Sequence, residues 1–262
     1  MRKGVRKDGV FLFRNKQKHT AMKKYLSLLL ATSLALLLIS SCDILGIIDD
    51  IGGDSDSKAV DLGLSVKWAT CNLGASSPEK SGDFYAWGET SPKSTFGSMD
   101  GYKWSYPEKS SYGDIILLLS KYNSSSKLGK VDNKSQLDPE DDAARAKLGG
   151  KWRMPTKKEF QELMDKCEMT WTTVGGVNGM EFKSKANGNT IFLPAAGMYG
   201  PKGNLNPSGS DLSEAGKSGY YWSSELADGA GQVATLRVQS NYHNVLNAGR
   251  TQGITIRPVC DK

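Results

Sequence analysis

A single long apolar run, Leu26 to Ile39, stands near the amino terminus, behind Lys23 and Lys24 and just ahead of Ser40-Ser41-Cys42. A short basic segment, an uncharged apolar segment and small residues at the end form the layout of a secretory signal that is removed after export. The run is shorter than the ~20 residues that span a bilayer as a helix. Met22 fits as the start of this signal, and residues 1–21 fit no targeting logic and read as an extension. The mature fold must therefore be built from the residues after Ser41, where the apolar stretches are short and broken by glycine. That part is rich in Gly, Ser, Asn, Trp and Tyr, which suits a loop-rich α+β or mostly β domain better than a helical bundle.

The end of the signal resembles the lipobox of bacterial lipoproteins. The resemblance implies cleavage before Cys42, a lipid on its thiol, and a chain tethered by lipid at the outer membrane or cell surface. Residues 43–58 read as the tether, because Asp54 to Ser57 are too polar to bury anything. Asp54 and Asp56 do not begin a calcium loop, since no glycine turn and distal glutamate come after them at the required spacing.

The formal net charge is +6, but residues 1–41 hold nine Lys or Arg against one acid. Residues 42–262 then carry 25 basic and 27 acidic side chains, a net charge of −2. Nucleic-acid binding needs a lasting basic face that displaces counterions from phosphates, so that class is excluded.

In the remaining chain, Leu62, Leu64, Val66 and Trp68 alternate with Gly63, Ser65 and Lys67, the period of a half-buried strand. Phe84 to Trp87 read as a short aromatic strand. Residues 91–135 are a polar excursion that Ile115 to Leu119 should pack onto the core. A first helix is signalled by Pro139 and the acids Glu140, Asp141 and Asp142, which suit the positive end of a helix dipole as a solvated start. Ala143 to Leu148 continue it and Gly149-Gly150 stop it. Thr156 and Glu159 form the capping box of a second helix, whose apolar stripe is Phe160, Leu163, Met164 and Cys167. Gly175-Gly176, Asn178-Gly179 and Asn187-Gly188 mark turns, and the last predicts a hairpin before Thr190 to Leu193. Tyr220 to Ser224, Val233 to Val238 and Ile254 to Val259 should close the chain as strands.

Six blocks, in order, carry a family resemblance: AVDLGLSVKWATCNLGA, GDFYAWGET, LDPEDDAARAKLGGKWRMPTKKEFQELM, FLPAAG, GYYWSS and IRPVC. They resemble the Fibrobacter succinogenes major paralogous domain family, over residues 59–262. The resemblance implies a C-type-lectin-like fold, related to formylglycine-generating enzymes: short antiparallel strands, two helices and long loops. In that fold class the terminal strands are neighbours, which implies a Cys71–Cys260 disulfide and leaves Cys167 as a buried free thiol.

The chemistry points away from catalysis. The mature chain has one histidine, His243, with no nucleophile placed beside it in sequence, and lacks partners for a histidine zinc site. No phosphate loop or dinucleotide fingerprint occurs, so no metal and no cofactor are expected. Trp222 is followed by Ser223 and Ser224, where the calcium site of C-type lectins uses Asn and Asp. The expectation is a non-enzymatic binding or adhesion module for an unknown glycan or protein ligand. Other classes that the fold serves are an enzyme of formylglycine-generating type and a structural or pilus-associated component. Residues 237–252 mix Asn, Tyr, His, Arg and Gln as binding loops do. Tyr242, His243, Asn244, Asn247 and Arg250 are the candidate ligand contacts, held between two strands.

Overall fold

The computed structural model describes residues 58–201, 210–227 and 231–262. The expectations for residues 1–57, Cys42 and the signal among them, lie outside these. In chain order the strands begin with β1 (Ala59–Val60), β2 (Val66–Ala69), β3 (Ser105–Lys109), β4 (Ile115–Leu119) and β5 (Trp152–Arg153). Next come β6 (Cys167–Val174), β7 (Val177–Ser184), β8 (Thr190–Pro194), β9 (Met198–Pro201) and β10 (Ser210–Ser213). The last are β11 (Ser218–Leu226), β12 (Gln232–Gln239), β13 (Tyr242–Gly249) and β14 (Val259–Asp261). Two helices, α1 (Ala143–Leu148) and α2 (Lys157–Lys166), lie in the middle of the chain. The fold is α+β, built mostly from small antiparallel sheets: β1-β2-β14-β5, β6-β7-β8, β11-β12-β13, β9-β10 and β3-β4.

Helix α2 starts as its sequence predicts. Thr156 accepts the Glu159 N–H, and Glu159 accepts the Thr156 N–H at 2.8 Å. Its Phe160 and Leu163 are fully buried beneath Leu236 and Val238 of β12, with Leu62, Trp68 and Val259 completing the same core. The opposite face of the β11-β12-β13 sheet meets a second core, where Trp87, Tyr122, Met154, Trp222 and Ile254 pack. Tyr221 faces the first core, while Tyr220 and Trp222 face the second, as strand alternation requires.

Several segments depart from expectation. Leu62, Leu64, Val66 and Trp68 are all buried, but only Val66–Ala69 joins a ladder. The Ser65 N–H is taken by the Glu162 carboxylate instead. The first helix is divided: Pro139–Asp141 form a 3-10 turn, and Asp142, extended at φ −85°, caps α1 separately by accepting the Arg145 N–H. Asn178-Gly179 lies inside β7, not at a turn, because Gly175 and Gly176 already turn the chain between β6 and β7. Phe84 to Trp87 and Ile254 to Pro258 are not strands. They touch through the Tyr85–Ile254 bridge, and their other backbone groups bond singly to scattered segments, as Trp87 N–H does to Arg250 O and Ile256 O does to Leu73 N–H. Ile115 to Leu119 form half of a hairpin and leave only Leu119 buried.

The expected Cys71–Cys260 disulfide is also corrected. β14 does lie beside β2, but the register sets Cys260 opposite Lys67. Cys71 lies four residues further along, about 13 Å at the usual rise per residue, beyond the ~7 Å Cα limit of a disulfide. Cys71, Cys167 and Cys260 form no disulfide, and burial pushes the Cys167 thiol up to about 11.

Arg257 joins these parts. Its side chain is fully buried and bonds only neutral acceptors: Nε donates to Asn72 Oδ1 at 2.9 Å, and Nη2 donates to Phe192 O at 2.7 Å. Nη1 donates to Ala69 O at 3.0 Å and Thr70 O at 2.7 Å. Burial pulls its pKa down to about 10, so it remains charged at neutral pH. Arg257→Leu should lower the unfolding free energy by about 3–5 kcal/mol, because it strands several buried acceptors at once. Urea unfolding at pH 7 would read this as a lower midpoint at unchanged slope. An unchanged midpoint would show that the arginine is dispensable.

Candidate functional site

The five residues singled out from the sequence do not converge. Residues 242–249 are not a loop but strand β13, the edge of its sheet. Register places Tyr242 opposite Gln239, His243 opposite Val238, Asn244 opposite Arg237 and Asn247 opposite Ala234. Alternation therefore puts Tyr242 and Asn244 on one face and His243 and Asn247 on the other, where α2 packs. Arg250 is no surface contact at all. It is buried at 2 % exposure, donates to the carbonyls of Tyr122 at 3.0 Å and Lys121 at 3.3 Å, and lies over the Trp87 ring.

Around Tyr242 and Asn244 the structure assembles Arg237 and Gln239 of the same stretch with Glu214, Ser218 and Tyr220, which carry no signal in the sequence. Two rows cross the sheet, Ser218–Gln239–Tyr242 and Tyr220–Arg237–Asn244. Glu214 stands over them from the turn between β10 and β11. Its Oε2 accepts from Ser218 Oγ at 2.6 Å, Tyr220 Oη at 2.8 Å and Arg237 Nη2 at 2.8 Å. The Arg237 guanidinium lies 5.3 Å from the Tyr220 ring centre, and Gln239 Nε2 donates to Ser218 Oγ at 2.7 Å. The floor, Ser218 and Tyr220, is buried, whereas Glu214, Tyr242 and Asn244 are open to solvent. Arg237 Nε is buried and meets no partner among the described residues.

Backbone constraints hold this arrangement. Gly197 has φ +72°, and a Cβ there would lie 2.3 Å from the Ser213 carbonyl, so the chain passes too tightly for a side chain. Glu214 itself sits at φ +58°, which is uncommon for a residue with a Cβ and is held by its bonds to the sheet. The Ser218 hydroxyl, then Tyr220 and Arg237, hold the Glu214 carboxyl below its ordinary range against the opposing effect of burial. Burial, with the bond to Glu214, pushes Tyr220 up to about 12. Arg237 and Glu214 are thus a charged pair at neutral pH, offering a donor fork and an acceptor beside two tyrosines.

A second cluster brings Asp138, Glu140 and Asp141 within 4.8 Å of one another, close enough for a cation. The chain supplies that cation itself. Lys121 Nζ lies 2.6 Å from Asp138 Oδ2 and 2.7 Å from Asp141 Oδ2, while Lys134 shares the Asp138 oxygen and Lys103 takes Asp141 Oδ1. Tyr122 Oη donates to Asp141 at 2.6 Å. The acids are therefore not a solvated helix start, since Asp141 and Asp142 are buried. Lysines neutralise Asp138 and Asp141 and hold the centre of the cluster, so these residues do not fit a metal.

Compared with known proteins, the chain matches no family model, no curated protein and no solved structure.

Burial raises the Asp141 carboxyl, but Lys121, Tyr122 and Lys103 outweigh it and hold the pKa below the ordinary value. Asp138 is lowered by Lys121 and Lys134. A carboxyl lowered in the folded state adds stability that is present above about pH 4 and lost as pH falls through the folded value. Asp141→Asn should therefore cost about 2–3 kcal/mol at pH 7, with the gap to wild type narrowing below pH 4. Thermal melts at pH 7, 4 and 3 give the comparison, and a constant gap would refute the linkage.

Proposed function

We propose that this chain is an exported, lipid-anchored binding module whose ligand, a glycan or a protein, docks on the open part of the β12–β13 face. The observation that carries this reading is the patch of Glu214, Arg237, Gln239, Tyr242 and Asn244. It sets a half-buried guanidinium, a carboxylate and an exposed ring side by side on one rigid sheet. Such groups bind through directional bonds and through aromatic area that loses little side-chain freedom. The signal-like segment and Cys42 support the anchor. Small antiparallel sheets with two central helices are compatible with the C-type-lectin-like arrangement that the sequence blocks imply. The non-enzymatic reading is supported by the placement of His243 on the face opposite the patch.

Two measurements test the reading. Cys42→Ala should abolish membrane association, because no helix among the described residues is long and apolar enough to cross a membrane. Detergent phase partitioning reads this out, and equal partitioning of variant and wild type would refute the anchor. For the patch, Arg237→Ala with Tyr242→Ala should lower capture on glycan and host-protein arrays by about tenfold or more. Tyr242→Ala alone, at an exposed position, should show much of that loss with little change in melting temperature, whereas Arg237→Ala also breaks the ion pair to Glu214 and should lower it. Undiminished capture would place the site elsewhere.

A further inference from the structure

The hairpin β3–β4 has two edges that are built differently. Ser110 N–H donates to Asp114 O at 2.8 Å and Ser120 N–H donates to Trp104 O at 2.8 Å. In an antiparallel pair, bonded and non-bonded positions alternate, so the even-numbered residues of the hairpin bond across it. The odd-numbered residues turn their N–H and C=O groups outward. On β3 the central outward residue is Pro107, which has no N–H and blocks a further strand. On β4 the outward residues are Ile115, Leu117 and Leu119. The Leu119 N–H donates to Leu128 O at 2.7 Å, and Leu119 O accepts from Lys130 N–H at 2.9 Å. The outward groups of Ile115 and Leu117 meet no partner among the described residues. Their side chains are exposed too: Ile115 67 %, Ile116 41 % and Leu117 36 %.

We propose that β4 is completed by β4 of a second copy of this chain, antiparallel about a two-fold axis at Ile116. The parity of the free groups selects this register. Ile115 then opposes Leu117 of the second copy and Leu117 opposes its Ile115, so four backbone bonds use every free group of both edges. On one face Ile115 and Leu117 of both copies form a continuous apolar strip. On the other, Ile116 meets Ile116. Charges do not conflict: Asp114 comes opposite Leu118 of the second copy, and the two Glu108 side chains stay about 14 Å apart, three strand spacings.

A lipid surface fits this edge less well. Free backbone groups are not tolerated in hydrocarbon, and Glu108 and Asp114 flank the apolar residues. The strip is smaller than the ~1,200 Å² that a stable dimer buries, so dilute protein should be monomeric. Crowding on a membrane through the lipid anchor would offset this, but cross-linking in concentrated solution does not depend on that anchor.

The test is oxidative cross-linking of the concentrated mature chain in a Cys42→Ser, Cys71→Ser background, since Cys167 and Cys260 are buried. Ile116→Cys sits at a non-bonded pair with Cα atoms about 4.5 Å apart, within reach of a disulfide. It should cross-link at least about tenfold faster than Ile115→Cys or Leu117→Cys, whose like residues are offset by about 7 Å along the strands. Adding Leu117→Pro to the Ile116→Cys variant removes an N–H that the hairpin does not use and should abolish the cross-link at an unchanged melting temperature. If that variant unfolds, Ile115→Lys, a charged edge residue, should give the same loss. Equal cross-linking at all three positions would mean random collision and overturn the two-fold. No cross-link at any position, or one that survives both edge substitutions, would overturn the pairing itself, leaving a lipid or an unrelated strand as the occupant.

Discussion

Buried side-chain donors bonded to coil carbonyls hold this fold together, and Arg257 is the centre of that system. A sheet of two to four short strands leaves many backbone groups outside any ladder, and a buried carbonyl without a partner is costly. Arg257 satisfies carbonyls from the end of β2, from the residue after it and from β8, while also holding Asn72. A guanidinium suits this task because its donors form a rigid planar fork. The same device recurs around the second core. Trp87 Nε1 donates to Ser223 O and Trp222 Nε1 to Tyr85 O, each at 2.8 Å, locking two non-adjacent segments reciprocally. Tyr102, Trp104 and Thr255 donate to the carbonyls of Trp87, Gly88 and Tyr220. The abundance of tryptophan and tyrosine thus has a structural cause: these side chains bring apolar volume and one donor together.

The long excursion is attached by the same logic with charge added. Lys103 and Lys121 come from the excursion and meet Asp141, just before α1, and both ammoniums lie over the Trp104 ring at 4.3 and 4.9 Å. Arg250, from the segment after β13, closes the far side through the carbonyls of Lys121 and Tyr122. The excursion is therefore fixed by polar bonds at the base of its hairpin, together with the buried Phe96, Tyr102, Leu119 and Tyr122, and the hairpin beyond that base projects.

What could be read in the sequence depends on how local each signal is. The capping box at Thr156 and Glu159 and the Asn187-Gly188 turn are set by neighbours a few residues away, and both are found, while the alternation from Leu62 to Trp68 appears in burial but as a strand only from Val66. Signals that depend on distant partners misled. Arg250 has the composition of a binding residue, but Trp87 and the carbonyls at 121 and 122 make it a core residue. Ile254 to Pro258 has the apolar content of a strand, yet Arg257 and Thr255 bond across the molecule instead of along a ladder. For the candidate contacts, the structure separates the five residues: Tyr242 and Asn244 share one face of the sheet, His243 and Asn247 the other, and Arg250 is buried. Treating 237–252 as a loop hid the period of two that separates Tyr242 from His243 and joins Arg237 to Asn244. Glu214 carried no sequence signal, since only the fold brings that turn over β11.

The division into small sheets also bears on where this molecule can meet others. Each sheet has two edges, and an unguarded edge is a template for another chain. Many edges here lie against coil segments or end in bulges, as between Trp222 and Leu226 of β11. The projecting hairpin differs because the polar attachments at its base fix it without covering its tip. Pro107 guards one side, while β4 carries the longest unbroken aliphatic strand of the described residues, with its first three positions exposed. A strand that met only water would gain nothing from five consecutive aliphatic residues and would risk aggregation. The asymmetry between a guarded edge and an apolar open one in the same hairpin is the arrangement that limits growth to a single pairing. The two guarded edges would end a four-stranded sheet on both sides, so association closes at two copies instead of extending into a fibre.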